Sequence, residues 1–336
     1  MNTVLGMDVA VLGPLLCLVS ATLAQPVVLR LLRRAGSVDV PGTRSSHHIP
    51  TLRGGGIAVV LGVLLGISLI PHGIWLPLVF AVASFSAIGL AEDLKGLSVR
   101  SRLLLQALAA MGVATLLLLA DTPAVAPAAV VLIALWITGY VNAFNFMDGI
   151  NGISGAHAVV GGATFAFLGF WYADLSLQGA GATLAAGGLA FLPWNAVRAK
   201  VFLGDVGSYA IGAGLAVSAA YAVLLGVPVE ASIAPLALYL ADTTWTLQRR
   251  IRAGEEWTRP HRSHVYQRLG DLGWTHLQVT VFTAALGVLL CLLGAISLVA
   301  SWQLRLLADV LAVGVVTGYL ASPRWLAPRR ATEGAT

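Results

Sequence analysis

Residues 126–152 read APAAVVLIALWITGYVNAFNFMDGING, an apolar run that closes on Asn142, Asn145, Asp148 and Asn151. A bilayer core about 30 Å thick needs roughly 20 apolar residues in a helix, so the stretch reads as a membrane span ending in a polar cluster. If the helix continues past Val141, then Asn142, Asn145 and Asp148 stand at i, i+3 and i+6, close to one face. Burying such groups is costly unless partners or ions satisfy them. Gly149 and Gly152 predict a tight turn just beyond Asp148. A carboxylate with amide carbonyls is an all-oxygen set that suits Mg²⁺ or Mn²⁺ better than zinc. The plainer reading is a structural polar contact between helices.

Outward from this stretch the same pattern repeats. Apolar residues make up 58% of the chain and charged residues 10%, with a mean hydropathy of +0.85. That excludes an ordinary soluble domain and predicts an all-α, polytopic membrane bundle of 10–11 transmembrane helices. Eleven spans are expected, near 9–32, 54–71, 74–91, 102–120, 126–145, 154–173, 178–196, 206–226, 231–248, 277–299 and 303–320. Threading them back and forth puts 19 of the 20 Lys and Arg residues on one face, with only Arg305 on the other. The positive-inside rule makes the crowded face cytoplasmic. The expectation is one membrane domain over 1–336. Its cytoplasmic loops are 33–53, 92–101, 146–153, 197–205 and 249–276, and 321–336 is a cytoplasmic tail. The first span carries Asp8 before it and Arg30, Arg33 and Arg34 at its end, the reverse of a secretory signal, so it reads as uncleaved. Cys17 and Cys291 sit in apolar segments and read as packing residues. The basic pI reflects topology and attraction to anionic lipid or phosphate, and gives no argument for nucleic acid.

Four more segments break the apolar monotony on the basic face. The first runs from Asp39 to Gly56, where prolines and glycines stiffen a loop carrying Arg44, His47, His48 and Arg53. Guanidiniums there can fork onto phosphate oxygens. Glu92 and Asp93 are adjacent acids at a span end, a setting that raises a carboxylate pKa and suits a general base. Phe202-Leu-Gly204-Asp205 opens the eighth span, where backbone N–H groups favour phosphate, although Asp205 alone is equally a helix cap. The last, from Arg259 through Pro260, His261, Arg262, Ser263 and His264 to Arg268, offers a cationic hydrogen-bonding patch without the ligand spacing of a zinc site. Asp242, inside the ninth span, reads as an acid with a structural partner.

Taken in order, these five motifs resemble the polyprenyl-phosphate N-acetylhexosamine-1-phosphate transferases of the MraY/WecA type, glycosyltransferase family 4, from about residue 36 to 276. The resemblance implies Mg²⁺-dependent transfer of a sugar-1-phosphate from a UDP-N-acetylhexosamine to undecaprenyl or another polyprenyl phosphate, with release of UMP, at the cytoplasmic side of a bacterial inner membrane. It implies metal positions at Asn145 and Asp205 and catalytic acids at Asp93 and Asp148. Phe202 matches an aromatic that stacks on uracil, and Asn151 lines the nucleotide site. His261, Arg262 and His264 match a late motif facing sugar or pyrophosphate, and Arg44, His47 and Arg53 are taken as further substrate contacts. Glu92 stands where the family has the first Asp of a pair; it keeps the charge and reaches one methylene further. Leu52 stands where a Pro is common. The His-Arg-Ser-His order resembles the branch that initiates O-antigen or similar polysaccharides more than the muramoyl-pentapeptide branch. A homodimer is possible.

Phosphoryl transfer needs alignment and charge neutralisation more than covalent chemistry. The expectation is therefore that Asp93, helped by Glu92, orients or deprotonates the lipid phosphate while cations offset charge on the departing UMP. A two-step route through an aspartyl phosphate uses the same residues. The competing classes are a lipid-linked sugar transporter or flippase, which would carry charges deep in several spans, and a catalytically idle scaffold.

Overall fold

Apolar helices dominate the computed structural model, which describes residues 3–4, 7–42, 49–71, 73–119, 126–256 and 262–327. The helices in chain order are α1 (Val9–Ala35), α2 (Gly56–Ile67), α3 (Trp75–Lys95), α4 (Val99–Leu119), α5 (Pro127–Met147) and α6 (Ile153–Trp171). They are followed by α7 (Leu175–Asn195), α8 (Gly204–Leu224), α9 (Val229–Ile233), α10 (Ala237–Arg252), α11 (Val265–Asp271), α12 (His276–Ile296) and α13 (Trp302–Trp325). Among the described residues, nine of these are long and apolar enough to cross a membrane. The chain is thus a polytopic all-α membrane protein.

Two of the eleven expected spans take another form. α2 has 12 residues, about 18 Å at 1.5 Å per residue, and falls short of the bilayer core. The ninth span is broken: α9 passes through a 3₁₀ turn at Ala234–Leu236 before α10 begins. Pro235 lies in that turn, and its missing N–H removes one helical hydrogen bond.

α8 is the axis of the bundle, with 83% of its apolar window buried, whereas α13 lies at the rim with 11%. α8 packs on α3 and α5, and α6 lies against α7 along glycines. A Cβ at Gly162 would meet the Gly181 carbonyl oxygen at 2.5 Å, and one at Gly181 would meet the Gly162 carbonyl at the same distance. Small residues let the backbones touch where lipid offers no hydrophobic drive.

The sequence pattern gave no warning of the short strands. β1 (Thr3–Val4) pairs with β2 (Met7–Asp8), and a separate three-stranded sheet joins β3 (Val38–Asp39), β4 (Thr51–Arg53) and β5 (Val201–Phe202). β4 is central, antiparallel to β3 and parallel to β5, with Arg53 level with Phe202. The N–H groups of Gly54 and Gly55 continue the pairing onto the Phe202 carbonyl, at 3.2 and 2.9 Å. This sheet ties the first basic loop to the start of α8. On the opposite face the lone Arg305 donates to Glu230 Oε1 at 2.5 Å, which holds the Glu230 carboxyl below its usual range.

Candidate active site

Arg53 is the residue around which the polar face assembles. From its seat on β4, Nε donates to Asp93 Oδ1 at 2.8 Å and Nη2 donates to Asp205 Oδ2 at 2.9 Å. One planar guanidinium thus joins carboxylates from α3 and α8, a fork that lysine does not reproduce. Burial opposes its charge, but Asp205, Asp93 and Asp39 outweigh that and raise its pKa.

Asp93 does a second job. Its Oδ1 and Oδ2 accept the backbone N–H groups of Asp205 and Val206, at 3.1 and 3.0 Å, so it caps the first turn of α8 and meets the positive end of that helix. The approach is close because two glycines permit it. A Cβ at Gly89 on α3 would overlap the Asp205 carbonyl, and Gly204 turns into α8 at φ +75°, where an added Cβ would also crowd Asp93 Oδ2.

α5 delivers the third element. Asn145 Nδ2 donates to Asp205 Oδ1 at 2.7 Å and to Ser208 Oγ at 3.0 Å. The helix stops at Asp148, whose Oδ1 accepts from Ser154 at 2.6 Å. Desolvation by the surrounding protein pushes the Asp148 carboxyl up to about 7; Ser154 and Arg53 pull it down, while Asp205 and Asp93 add to the rise. The turn after Asp148 is pinned from two sides: Gly152 N–H donates to Asn195 Oδ1 at 2.6 Å, and Asn195 Nδ2 donates to the Val201 carbonyl at 3.0 Å. Asn151 is held through its backbone, to His276 Nδ1 at 3.3 Å and from Thr280 Oγ1 at 2.9 Å.

Arg53, Asp93, Asn145 and Asp205 therefore converge, with Asp148 within their electrostatic reach and Phe202 beside Arg53 on the sheet. Other expected residues are engaged elsewhere. Glu92 folds back, accepting from Leu97 N–H at 2.8 Å and facing Arg102 Nη1 at 3.5 Å; its extra methylene lets it close the turn after α3 instead of joining Asp93. Arg262 pairs with Asp271 at 2.9 Å. His264 is buried with Nδ1 3.0 Å from Asp242 Oδ1. Asp242 also accepts from Val265 N–H, Thr246 and Tyr319, so the intramembrane acid anchors the late loop from beneath. That loop still touches the site, because Tyr266 Oη donates to the Phe146 carbonyl at 3.0 Å. Arg44, His47 and His261 lie outside the described residues.

Sequence reasoning passed over Ser154, Ser208, Asn195 and Tyr266. Ser208 was open to discovery, standing one turn after Asp205; nothing local marks Asn195 or Tyr266, whose roles arise from packing.

The donor set bears on a metal. Asp93, Asp148 and Asp205 face a single Arg53, so the cluster is short of positive charge. Among the described residues no three His, Cys, Asp or Glu side chains gather as a closed cage. One carboxylate and one amide carbonyl fit a cation that keeps water and phosphate ligands, as Mg²⁺ does.

Comparison with known proteins adds a second line. The profile of glycosyl transferase family 4 matches residues 75–223. A decaprenyl-phosphate N-acetylglucosaminephosphotransferase of Mycobacterium tuberculosis (strain ATCC 25618 / H37Rv) is 30% identical over 320 residues, covering 82% of this chain and 78% of its own. A probable undecaprenyl-phosphate N-acetylglucosaminyl 1-phosphate transferase of Bacillus subtilis (strain 168) is 26% identical over 77% of this chain and 76% of its own. A phospho-N-acetylmuramoyl-pentapeptide-transferase of Lactobacillus helveticus (strain DPC 4571) is 26% identical over 52% of each chain.

Proposed function

The chain belongs to glycosyl transferase family 4, and on that premise we propose that it is a phosphoglycosyl transferase moving N-acetylhexosamine-1-phosphate from a UDP-sugar onto a polyprenyl phosphate, with release of UMP. The observation that carries the reading is the Arg53 fork across Asp93 and Asp205, with Asn145 on the same carboxylate. It gathers separate chain segments into one charged cluster at a membrane boundary, where a lipid phosphate and a water-soluble nucleotide can meet.

Asn145 and Asp205 would hold Mg²⁺, which, when bound, neutralises charge on the diphosphate. Arg53 sits where it can shift one fork from a carboxylate to a phosphate oxygen. Asp148, with its carboxyl near 7, is matched to taking a proton from the lipid phosphate at neutral pH. Asp93 keeps α8 and its N–H groups in place, since both its oxygens already accept backbone hydrogen bonds. This arrangement favours direct attack over a phosphoryl–Asp93 intermediate, which would uncap α8.

The basic face is read as cytoplasmic in a bacterial inner membrane, where UDP-sugars are available. The relatives that align over three quarters of their length are named for N-acetylglucosamine transfer, which supports a GlcNAc-type donor; initiation of a surface polysaccharide such as O-antigen rests on the His-Arg-Ser-His order alone. The test is UMP release from a panel of UDP-N-acetylhexosamines with undecaprenyl phosphate and Mg²⁺. Asp205→Asn is expected to abolish release while the protein stays folded in detergent. Turnover at the unmutated rate in that variant sinks the metal assignment, and no UMP from any donor sinks the reaction.

A further inference from the structure

α10, α11 and α13 place Arg249, Arg268 and Arg324 within one another's electrostatic reach. Arg268 is half-buried, and burial followed by the charges of Arg249 and Arg324 lowers its pKa, against weaker support from Asp242 and Asp271. Both of those acids are committed elsewhere, Asp242 to His264 and Tyr319 and Asp271 to Arg262. Arg249 donates to the Ser263 carbonyl at 2.8 Å, which leaves its charge uncancelled. Neither Arg268 nor Arg324 makes an ion pair or side-chain hydrogen bond among the described residues. Like charges held together without a counter-charge are costly unless an anion joins them.

Next to them lies an apolar groove. Six residues beyond Arg268 the chain reaches Trp274, whose backbone N–H donates to the Leu269 carbonyl at 3.2 Å. Trp274, Leu277, Gln278, Val281 and Phe282 line a groove of about 430 Å³ on the first turns of α12. Leu277 and Val281 are 47% and 58% exposed, so the groove opens on the lipid side. Trp274 packs edge-on against Phe282 at 5.4 Å, and Phe282 lies 6.3 Å from the Tyr319 ring on α13, five residues before Arg324. A Trp at this depth marks the water–hydrocarbon boundary.

Cations at the boundary beside an apolar groove complement one kind of molecule. We infer that this corner binds an anionic glycerophospholipid, its phosphate on Arg268 and Arg324 and an acyl chain against Trp274, Leu277, Val281 and Phe282. From the groove to the residue beside Asn145 the contacts run Phe282–Tyr319, Tyr319–Asp242, Asp242–His264 and His264–Phe146, and the adjoining α13 is exposed along most of its length. Those placements favour a resident lipid over the lipid substrate.

The test places the protein in nanodiscs of phosphatidylcholine containing a rising fraction of brominated phosphatidylglycerol. The Trp274 signal is read as the difference from Trp274→Phe. Half-maximal quenching is expected at a lower fraction of brominated phosphatidylglycerol than of brominated phosphatidylcholine, by roughly fivefold for each engaged cation. The preference should vanish in R268Q/R324Q, persist in R268K/R324K, and shrink in R324Q alone, where an exposed side chain is altered and folding is not at stake. Equal quenching by the two lipids overturns the proposal. Displacement by an equimolar amount of unbrominated undecaprenyl phosphate overturns it as well and gives the groove to the substrate. No nucleotide sugar or turnover enters the measurement, so its outcome is independent of the transfer reaction.

Discussion

At the scale of single residues, charge and shape at Arg53 and Asp148 decide what the site can do. Arg53 bridges two carboxylates through separate nitrogens, so Arg53→Lys keeps the charge and loses the fork. Its kcat/KM is expected to fall by about 10²-fold, in the range for losing one positioned electrostatic donor; near-normal kcat/KM shows that a point charge suffices. For Asp148, the carboxyl near 7 in the fold stands above about 3.9 in an unfolded chain. The folded state therefore holds this proton more tightly, and its contribution to stability is full below about pH 4 and lost as pH rises through about 7. Activity runs the other way, because a base must be ionised: kcat/KM should climb on an acid limb near pH 7. Asp148→Asn should lower the rate by about 10²–10⁴-fold, remove that limb, and flatten the fall of apparent melting temperature between pH 4 and 7. A retained limb assigns the base elsewhere. Tyr209 offers a contrast. It is fully buried on α8 with a hydroxyl that has no hydrogen-bond partner among the described residues, so Tyr209→Phe removes an unsatisfied group and should stabilise the protein by about 1 kcal/mol. A loss of stability there shows that a bound water fills the gap.

Among elements, the approach of α3 to α8 carries the geometry. Asp93 caps α8 only because Gly89 lets the two backbones nearly touch, and Gly89→Leu is expected to drive the helices apart. Because that separates Asp93 and Asp205 from the shared Arg53, UMP release should fall to background together with the melting temperature in detergent; full activity in Gly89→Leu would show that α8 holds its own start. Much of this level was legible before the fold was known. The spacing of Asn145 and Asp148 predicts a shared helix face, and Gly204-Asp205 predicts a helix start. The three-stranded sheet was not legible, because Val38–Asp39, Thr51–Arg53 and Val201–Phe202 are too short for a period-2 pattern to show, and two of them meet across about 150 residues. Nor does the sequence reveal that Glu92 turns away from Asp93, since its contacts with Leu97 and Arg102 form only in the fold.

For the molecule as a whole, sidedness links sequence to function. The hydropathy alternation locates the helices, yet it does not tell a 12-residue α2 or a helix broken at Pro235 from full spans, because apolar length carries no mark of where a helix starts or breaks. The charge asymmetry is of firmer kind: Lys and Arg crowd the face that carries Arg53, Asp93, Asn145 and Asp205, and the single Arg305 opposite is matched by Glu230. If the positive-inside rule orients the chain, the carboxylate cluster faces the compartment that holds UDP-sugars. Exposed loop positions Ala253, between α10 and α11, and Val299, between α12 and α13, lie on opposite faces. Cys17 is fully buried and Cys291 largely so, so a membrane-impermeant maleimide should report introduced cysteines over a low background. In intact spheroplasts Val299→Cys should label and Ala253→Cys should not, with the latter labelled once the membrane is opened. The reverse pattern would put the charged cluster on the outer surface, away from nucleotide sugars, and the transfer reaction could not proceed there.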